Sequence, residues 1–145
     1  MILERGNMWD VFGQGIFMIT TNPIQRKDGA VVMGRGIALE AKTKFPELPY
    51  IFGEKLKKNG NLFVDQIGVF DSVPIWYFMV KDHWFKDADL GIIASSCWML
   101  QKHFLGMDQR VDLNFPGIGN GKLPRDRVLY LLEELPDNIH IWEYA

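Results

Sequence analysis

The distribution of apolar residues along the chain predicts strands that alternate with helices. The segment Ile16–Thr21 is almost continuously apolar, which is typical of a central strand covered on both faces of a sheet. Shorter apolar or alternating runs predict further strands over Ile2–Arg5, Leu62–Val64, Ile67–Phe70, Ile75–Val80, Val111–Phe115 and Ile139–Tyr144.

Four segments between these strands have the spacing of amphipathic helices. After Gly36, the residues Ile37, Ala41 and Phe45 recur at helical intervals, and Pro46 ends the pattern. The other predicted helices cover Leu48–Lys58, Asp89–Phe104 and Pro124–Leu135. The order of elements predicts an α/β fold of three layers, α/β/α, with a central mixed sheet and helices on both faces.

Length and composition predict one globular domain over residues 1–145. The 145 residues are 48% hydrophobic and 23% charged, and neither a repeat nor a low-complexity linker divides them. The apolar run Val73–Val80 contains Pro74 and is far shorter than a membrane span, and the first residues lack the pattern of a signal peptide. We therefore expect a cytoplasmic protein that does not bind membranes.

The single cysteine excludes an internal disulfide and agrees with a reducing compartment. Cys97 has two interpretations, a thiol nucleophile or a buried packing residue. The second is favoured, because Cys97 lies in the middle of an apolar helical pattern beside Trp98.

Charge and histidine spacing limit the possible ligands. The formal net charge is −2 and no cluster of Lys and Arg is visible, so we expect no stable binding of nucleic acid. His83, His103 and His140 lack the spacing of metal ligands, so we expect no metal site and no cofactor.

Two glycine-rich segments are candidates for binding an anion through the main chain. Gly34 and Gly36 lead directly into the first predicted helix, and Gly117–Gly121 lies between a late strand and the last helix. Glycine permits close approach of backbone N–H groups, and a helix N-terminus favours negative charge. Because both segments follow strands, we expect them to meet at the carboxyl edge of the sheet.

In order and spacing, these segments resemble the macro domain family, which binds ADP-ribose. The resemblance is carried by Gly6-Asn7-Met8, Thr21-Asn22, Val32–Leu39 and Pro116–Gly121 and runs over almost the whole chain. It is closest to the branch of terminal ADP-ribose protein glycohydrolases and of antitoxins that remove ADP-ribose from DNA, whose members carry Met-Gly-x-Gly-Ile-Ala. The resemblance implies that the partner is ADP-ribose or an ADP-ribosylated substrate, and we expect the chain to be a monomer.

The resemblance also implies roles for individual residues. Met33, Gly34, Arg35, Gly36 and Ile37 would line the diphosphate and distal ribose, opposite a loop formed by Pro116, Gly117, Ile118, Gly119, Asn120 and Gly121. Asn7 and Met8 occupy the place of an aspartate that contacts adenine in the family, and Trp142 or Tyr144 would stack on the base. Thr21, Asn22 and Gln25 would lie near the distal ribose.

The implied catalytic residues are Lys81 and Asn22. In the resembling glycohydrolases a lysine at the end of the corresponding strand attacks the anomeric carbon of the ribose, which requires a pKa lowered by burial or by a nearby cation. The aspartate that assists in the family is not present in the loop of this chain. The nearest acid, Asp126, is better explained as an N-terminal helix residue that balances the dipole.

Three functions remain open from the sequence. The first is hydrolysis of an ADP-ribosyl linkage or of ADP-ribose 1″-phosphate, and the second is a non-catalytic module that reads ADP-ribose. The third is an interaction protein that has lost the ligand, with Trp84 and Phe85 at an interface.

Overall fold

The computed structural model describes residues 1–144 as ten strands and helices joined by short loops. The strands are β1 (Ile2–Arg5), β2 (Ile16–Thr21), β3 (Val64–Phe70), β4 (Val73–Met79), β5 (Val111–Asn114) and β6 (Ile139–Glu143). The helices are α1 (Gly36–Lys44), α2 (Leu48–Asn59), α3 (Leu90–Phe104) and α4 (Arg125–Leu132), with short 3₁₀ turns at Met8–Val11 and Gly119–Gly121.

The strands form one six-stranded mixed sheet in the order β1-β6-β5-β2-β4-β3. All neighbouring pairs are parallel except β3 and β4, which form an antiparallel hairpin. The predicted three-layer α/β/α fold with a mixed sheet is therefore confirmed. Its consequence is that β6, β5, β2 and β4 all end at the same edge of the sheet.

The central strand β2 contributes to both hydrophobic cores. Phe17 and Ile19 pack on the side of α1 and α2, whereas Ile16 and Met18 pack on the side of α3 and α4. Alternate side chains of a strand point to opposite faces, so a strand covered on both sides must be apolar throughout. This explains why the sequence of β2 shows no alternation.

One prediction of secondary structure was wrong in detail. The two short strands predicted over Leu62–Val64 and Ile67–Phe70 are a single strand, β3, whose pairing register shifts between Gln66 and Gly68. The hairpin that follows turns at Asp71 and Ser72, which have positive φ angles of 47° and 65°. A bulge interrupts the periodicity that sequence patterns detect, so one bent strand resembled two.

The structure describes the surroundings of Cys97 and the length of the helices, which both entered the prediction of the cellular compartment. Cys97 is buried in the core between the sheet and the pair α3 and α4, and burial raises the pKa of its thiol to about 12. This agrees with a packing residue rather than a reactive thiol. Within residues 1–144, none of the helices has the length and apolar character needed to cross a membrane.

The loop between β2 and α1, which carries the first glycine segment, is held against α2. Gln25 pairs with Val31 as an isolated bridge, and the N–H of Val31 donates to the carbonyl of Pro49 in α2. Gly53 lies so close to Gly29 that a Cβ atom would overlap the Gly29 carbonyl oxygen. The absence of a side chain at Gly53 therefore lets the loop pack on α2.

We predict that Gly53→Ala destabilises the fold by about 1–3 kcal/mol through overpacking, although alanine is the better helix former. The measurement is the free energy of unfolding in urea. Gly34→Ala is the control, because a Cβ atom there has no neighbour within 4 Å among the described residues. An unchanged or increased stability of Gly53→Ala would contradict the close packing of loop and helix.

Candidate functional site

A cleft of about 600 Å³ lies across the carboxyl edge of the sheet. Its lining comes from the ends of four parallel strands and from the loops that follow them. The lining residues are Thr20, Thr21, Asn22, Val32, Met33, Gly34, Arg35, Gly36, Ile37, Ala38, Val80, Lys81, Trp84, Asn114, Phe115, Gly117, Ile118, Gly119, Asn120, Gly121, Trp142, Glu143 and Tyr144.

The strand order sets the length of the cleft. Lys81 follows β4, Trp142 lies on β6, and β5 and β2 lie between these two strands. Three intervals of about 4.8 Å separate β6 from β4, so the two ends of the cleft are about 14 Å apart. This span suits an elongated ligand that lies across the strand ends.

The two glycine segments face each other across this cleft. A Cβ atom on Gly36, whose φ angle is +57°, would lie 3.6 Å from Nδ2 of Asn120. The first N–H groups of α1 therefore lie opposite the loop of residues 117–121, as the sequence predicted. A ligand between them can accept hydrogen bonds from main-chain N–H groups on both sides.

Gly117 and Gly121 in the second loop are required by close packing rather than by the approach of a ligand. At Gly117 a Cβ atom would lie 2.6 Å from Cδ1 of Ile93, and at Gly121 it would lie 2.9 Å from Cβ of Ala88. These two glycines let the loop pack against α3 and the segment before it. The contacts fix the position of the loop, all of whose residues from 117 to 121 line the cleft.

The floor of the cleft is fixed by a link between β2 and β5. Asn114 accepts a hydrogen bond from the N–H of Thr20 at 3.1 Å, and its Nδ2 donates to Oγ1 of the same threonine at 2.8 Å. Both side chains line the cleft. The pairing of β2 with β5 ends at Met18 and Leu113, so the Asn114 side chain provides the hydrogen-bond partner that the N–H of Thr20 would otherwise lack.

Asn22 lies in the cleft with its amide already bound to the main chain. Its Nδ2 donates to the carbonyl of Val32 at 3.0 Å, and its Oδ1 accepts from the N–H of Ile24 at 2.9 Å. The side chain is only 6% exposed. These contacts make Asn22 a brace for the loop that leads to α1, with one Nδ2 hydrogen left for a ligand.

Lys81 lines the cleft just after β4, where its neighbours affect its charge. Burial lowers its pKa, the nearby Arg35 guanidinium lowers it further, and Asp87 partly opposes the two effects. Its Nζ donates to the carbonyl of Lys86 at 3.3 Å, which draws the side chain towards the loop of residues 82–89. Arg35, which the sequence assigned to the diphosphate, therefore also acts on the charge of Lys81.

The end of the cleft at β6 is built from aromatic and charged side chains. The indole of Trp142 donates from Nε1 to Asp112 at 2.8 Å, and the hydroxyl of Tyr144 lies 3.0 Å from both carboxylate oxygens of Glu40. Glu143 accepts two hydrogen bonds from Arg125, which lowers the pKa of its carboxyl group.

Four predicted site residues lie outside the cleft lining. Asn7 is exposed and accepts from the N–H of Trp9, which caps the 3₁₀ turn, and Met8 is buried in the core beside α1 and α2. The side chain of Gln25 points towards Gly53. The fourth is Pro116, which is buried in the turn after β5. Asp126, which was not assigned to the site, is the acid of the first turn of α4, as predicted.

Several lining residues were missed by the sequence analysis. They are Thr20, Val32, Ala38, Val80, Asn114, Phe115 and Glu143. Asn114 carried a detectable signal, because a polar residue at the end of a buried strand lies at the expected ligand edge. Trp84, which the sequence analysis considered as part of an interface, lines the cleft and is 50% exposed. No group of three potential metal ligands occurs among residues 1–144.

Solved structures provide the comparison with known proteins. No family model matches the sequence, and no curated protein matches it. The macrodomain of Thermus aquaticus DarG is 25% identical with a TM-score of 0.71, over 99% of this chain and 97% of that chain. The macrodomain of Mycobacterium tuberculosis DarG is 24% identical with a TM-score of 0.74, over the same shares of the two chains.

A third structure contains a ligand. Thermosipho africanus DarTG in complex with ADP-ribose is 20% identical with a TM-score of 0.75, and the match covers 100% of this chain and 42% of that chain. The six-stranded mixed sheet and its covering helices have the three-layer α/β/α macro domain fold, with a cleft at the carboxyl edge of the sheet. The chain is similar to the DarG macrodomains over almost its whole length, and the family resemblance recognised in its sequence is confirmed.

We predict that Arg35→Gln raises the pKa of Lys81 towards its ordinary value of 10.5, because removal of a nearby positive charge favours the protonated amine. The measurement is an NMR titration of the Lys81 side chain. Arg26→Gln is the control, since Arg26 forms an ion pair with Asp28 at 3.1 Å. An unchanged Lys81 pKa in Arg35→Gln would show that the charge of Arg35 does not act on the amine.

Proposed function

We propose that the cleft binds ADP-ribose, either free or attached to another molecule. The observation that carries this proposal is the convergence of two glycine loops at Gly36 and Asn120, in a cleft whose lining includes both Trp142 and Lys81. The ADP-ribose in the structure of the similar Thermosipho africanus DarTG supports the choice of this ligand.

The main chain would provide most of the contacts to the diphosphate. Within residues 1–144, the Arg35 side chain does not cap α1, so the first N–H groups of this helix are available to an anion. The turn at Gly119–Gly121 likewise lacks a side-chain cap among the described residues. Binding through amides suits a chain whose formal net charge is −2.

We further propose that the protein hydrolyses an ADP-ribosyl linkage or ADP-ribose 1″-phosphate, with Lys81 as the nucleophile. The neutral Nζ of Lys81 attacks C1″ of the distal ribose, and the bond from C1″ to the modified atom breaks. Its electron pair stays on the leaving atom, which takes the proton released by Nζ. Water then attacks C1″, the bond to Nζ breaks, and a water proton returns to the amine, which gives free ADP-ribose.

The surroundings of Lys81 support this role. A lowered pKa increases the neutral fraction of the amine, and both burial and Arg35 act in that direction. The loop of residues 117–121 contains no carboxylate to assist proton transfer. The acid whose charge acts on Lys81 is Asp87, from the loop that follows β4.

A module that binds ADP-ribose without hydrolysis is the second candidate. The observation that favours it is the missing aspartate. In this part of the chain the resembling glycohydrolases have an aspartate, whereas this chain has Asn120 in the loop and Lys122 directly after it. Asp126 does not replace that aspartate, because it lines a separate hollow with Leu90 and Tyr130. The two candidates share the cleft and differ only in turnover.

We predict that Gly36→Val weakens ADP-ribose binding at least tenfold, about 1.4 kcal/mol, because the branched side chain disfavours the left-handed backbone and narrows the gap to Asn120. Calorimetric titration measures the affinity. Gly60→Val is the matched control, because Gly60 has a φ angle of +79° at the end of α2 and does not line the cleft. Equal affinity of both variants and wild type, or no binding by wild type, would refute the proposal.

We predict that Lys81→Arg lowers hydrolysis on the order of 100-fold or more while ADP-ribose binding changes little, because arginine keeps the charge but is never neutral. The assay is release of ADP-ribose from mono-ADP-ribosylated protein, from ADP-ribosylated DNA and from ADP-ribose 1″-phosphate. The wild-type rate should rise with pH and reach half its maximum below pH 10.5. Release from none of these substrates would favour the binding module.

A further inference from the structure

Glu40 joins three segments of the chain at the β6 end of the cleft. One of its carboxylate oxygens accepts from Nε1 of Trp9 at 3.1 Å, and both accept from the hydroxyl of Tyr144 at 3.0 Å. Trp9 belongs to the 3₁₀ turn after β1, Glu40 to α1 and Tyr144 to the segment after β6. Nothing in the sequence pattern indicated this contact across 104 positions.

Main-chain pairing does not hold Tyr144 in place. β6 ends at Glu143, one residue earlier, and Tyr144 is 65% exposed although it lines the cleft. The ring is therefore oriented through its hydroxyl. Burial and Glu40 raise the pKa of Tyr144 above its ordinary value of 10.0, so the hydroxyl is protonated at neutral pH with or without this shift and can donate to Glu40.

Trp9, the other hydrogen-bond partner of Glu40, is itself held by neighbouring side chains. The Trp9 ring packs on Phe17 of β2 with 4.5 Å between centroids, and Nζ of Lys44 lies 4.8 Å from the centroid of the same indole. Glu40 itself is half-buried on the helix whose first turn faces the cleft. A carboxylate bound by this packed indole is a fixed acceptor for the Tyr144 hydroxyl.

We propose that Glu40 is a positioning residue that holds the Tyr144 ring as the end wall of the cleft for the adenine base. The inference rests on the proposed function, because the distal ribose at Lys81 leaves the base about 14 Å away, at β6. A ring fixed before binding pays less conformational entropy when the base stacks on it. Loss of the hydrogen bond therefore weakens affinity although the ring remains.

The test compares Tyr144→Phe, Glu40→Gln and the double variant by calorimetric titration. Each single variant should weaken ADP-ribose binding about 3- to 10-fold, the cost of ordering one side chain. The double variant should lose no more than either single variant, because both remove the same contact. Tyr130→Phe, which alters a 75% exposed tyrosine on α4, is the matched control and should bind as wild type does.

A second ligand separates this role from general damage to the site. ADP lacks the distal ribose but contains the adenosine, so each variant should lose the same factor for ADP as for ADP-ribose. Unchanged urea unfolding midpoints would show that the fold is intact.

Three results would overturn the inference alone while wild type still binds ADP-ribose. They are single-variant affinities within twofold of wild type, losses that multiply in the double variant, and a loss seen with ADP-ribose but not with ADP. Failure of wild type to bind either ligand would instead refute the proposed function, and this inference would fall with it.

Discussion

The parallel pairing of four neighbouring strands is the constraint on which the site depends. Because β6, β5, β2 and β4 run in the same direction, their ends bring Trp142, Asn114, Thr21 and Lys81 to one edge. A reversed strand would place its last residues at the opposite edge. The continuous apolar sequence of β2, buried on both faces, keeps this arrangement at the centre of the molecule.

Carboxylates near the cleft are paired with partners on the same chain, so a protein with a net negative charge can still offer a site for an anion. Asp112 is bound by Arg110 and by the indole of Trp142, and Glu143 is bound by Arg125. These carboxylates are neutralised by partners on the chain itself. Lys81 and Arg35 remain at the other end, and their mutual repulsion together with burial lowers the pKa of the lysine.

Glycine serves two separate purposes in the loops that border the cleft. Gly36 adopts a left-handed conformation opposite Asn120, whereas Gly117 and Gly121 allow the second loop to touch Ile93 and Ala88. The first purpose exposes main-chain N–H groups, and the second fixes the loop that presents them. A sequence pattern rich in glycine does not distinguish the two, since both require only the absence of a Cβ atom.

The sequence by itself determined the layers of the fold, the convergence of the two glycine segments and the position of Lys81 at the end of β4, because local periodicity and strand ends encode them. Only the tertiary structure decided what surrounds those residues. It turned Asn7 and Met8 away from the cleft, merged two predicted strands into β3, and placed Asn114 on Thr20 and Tyr144 on Glu40. Contacts between residues up to about a hundred positions apart depend on strand order and register, which no local pattern records.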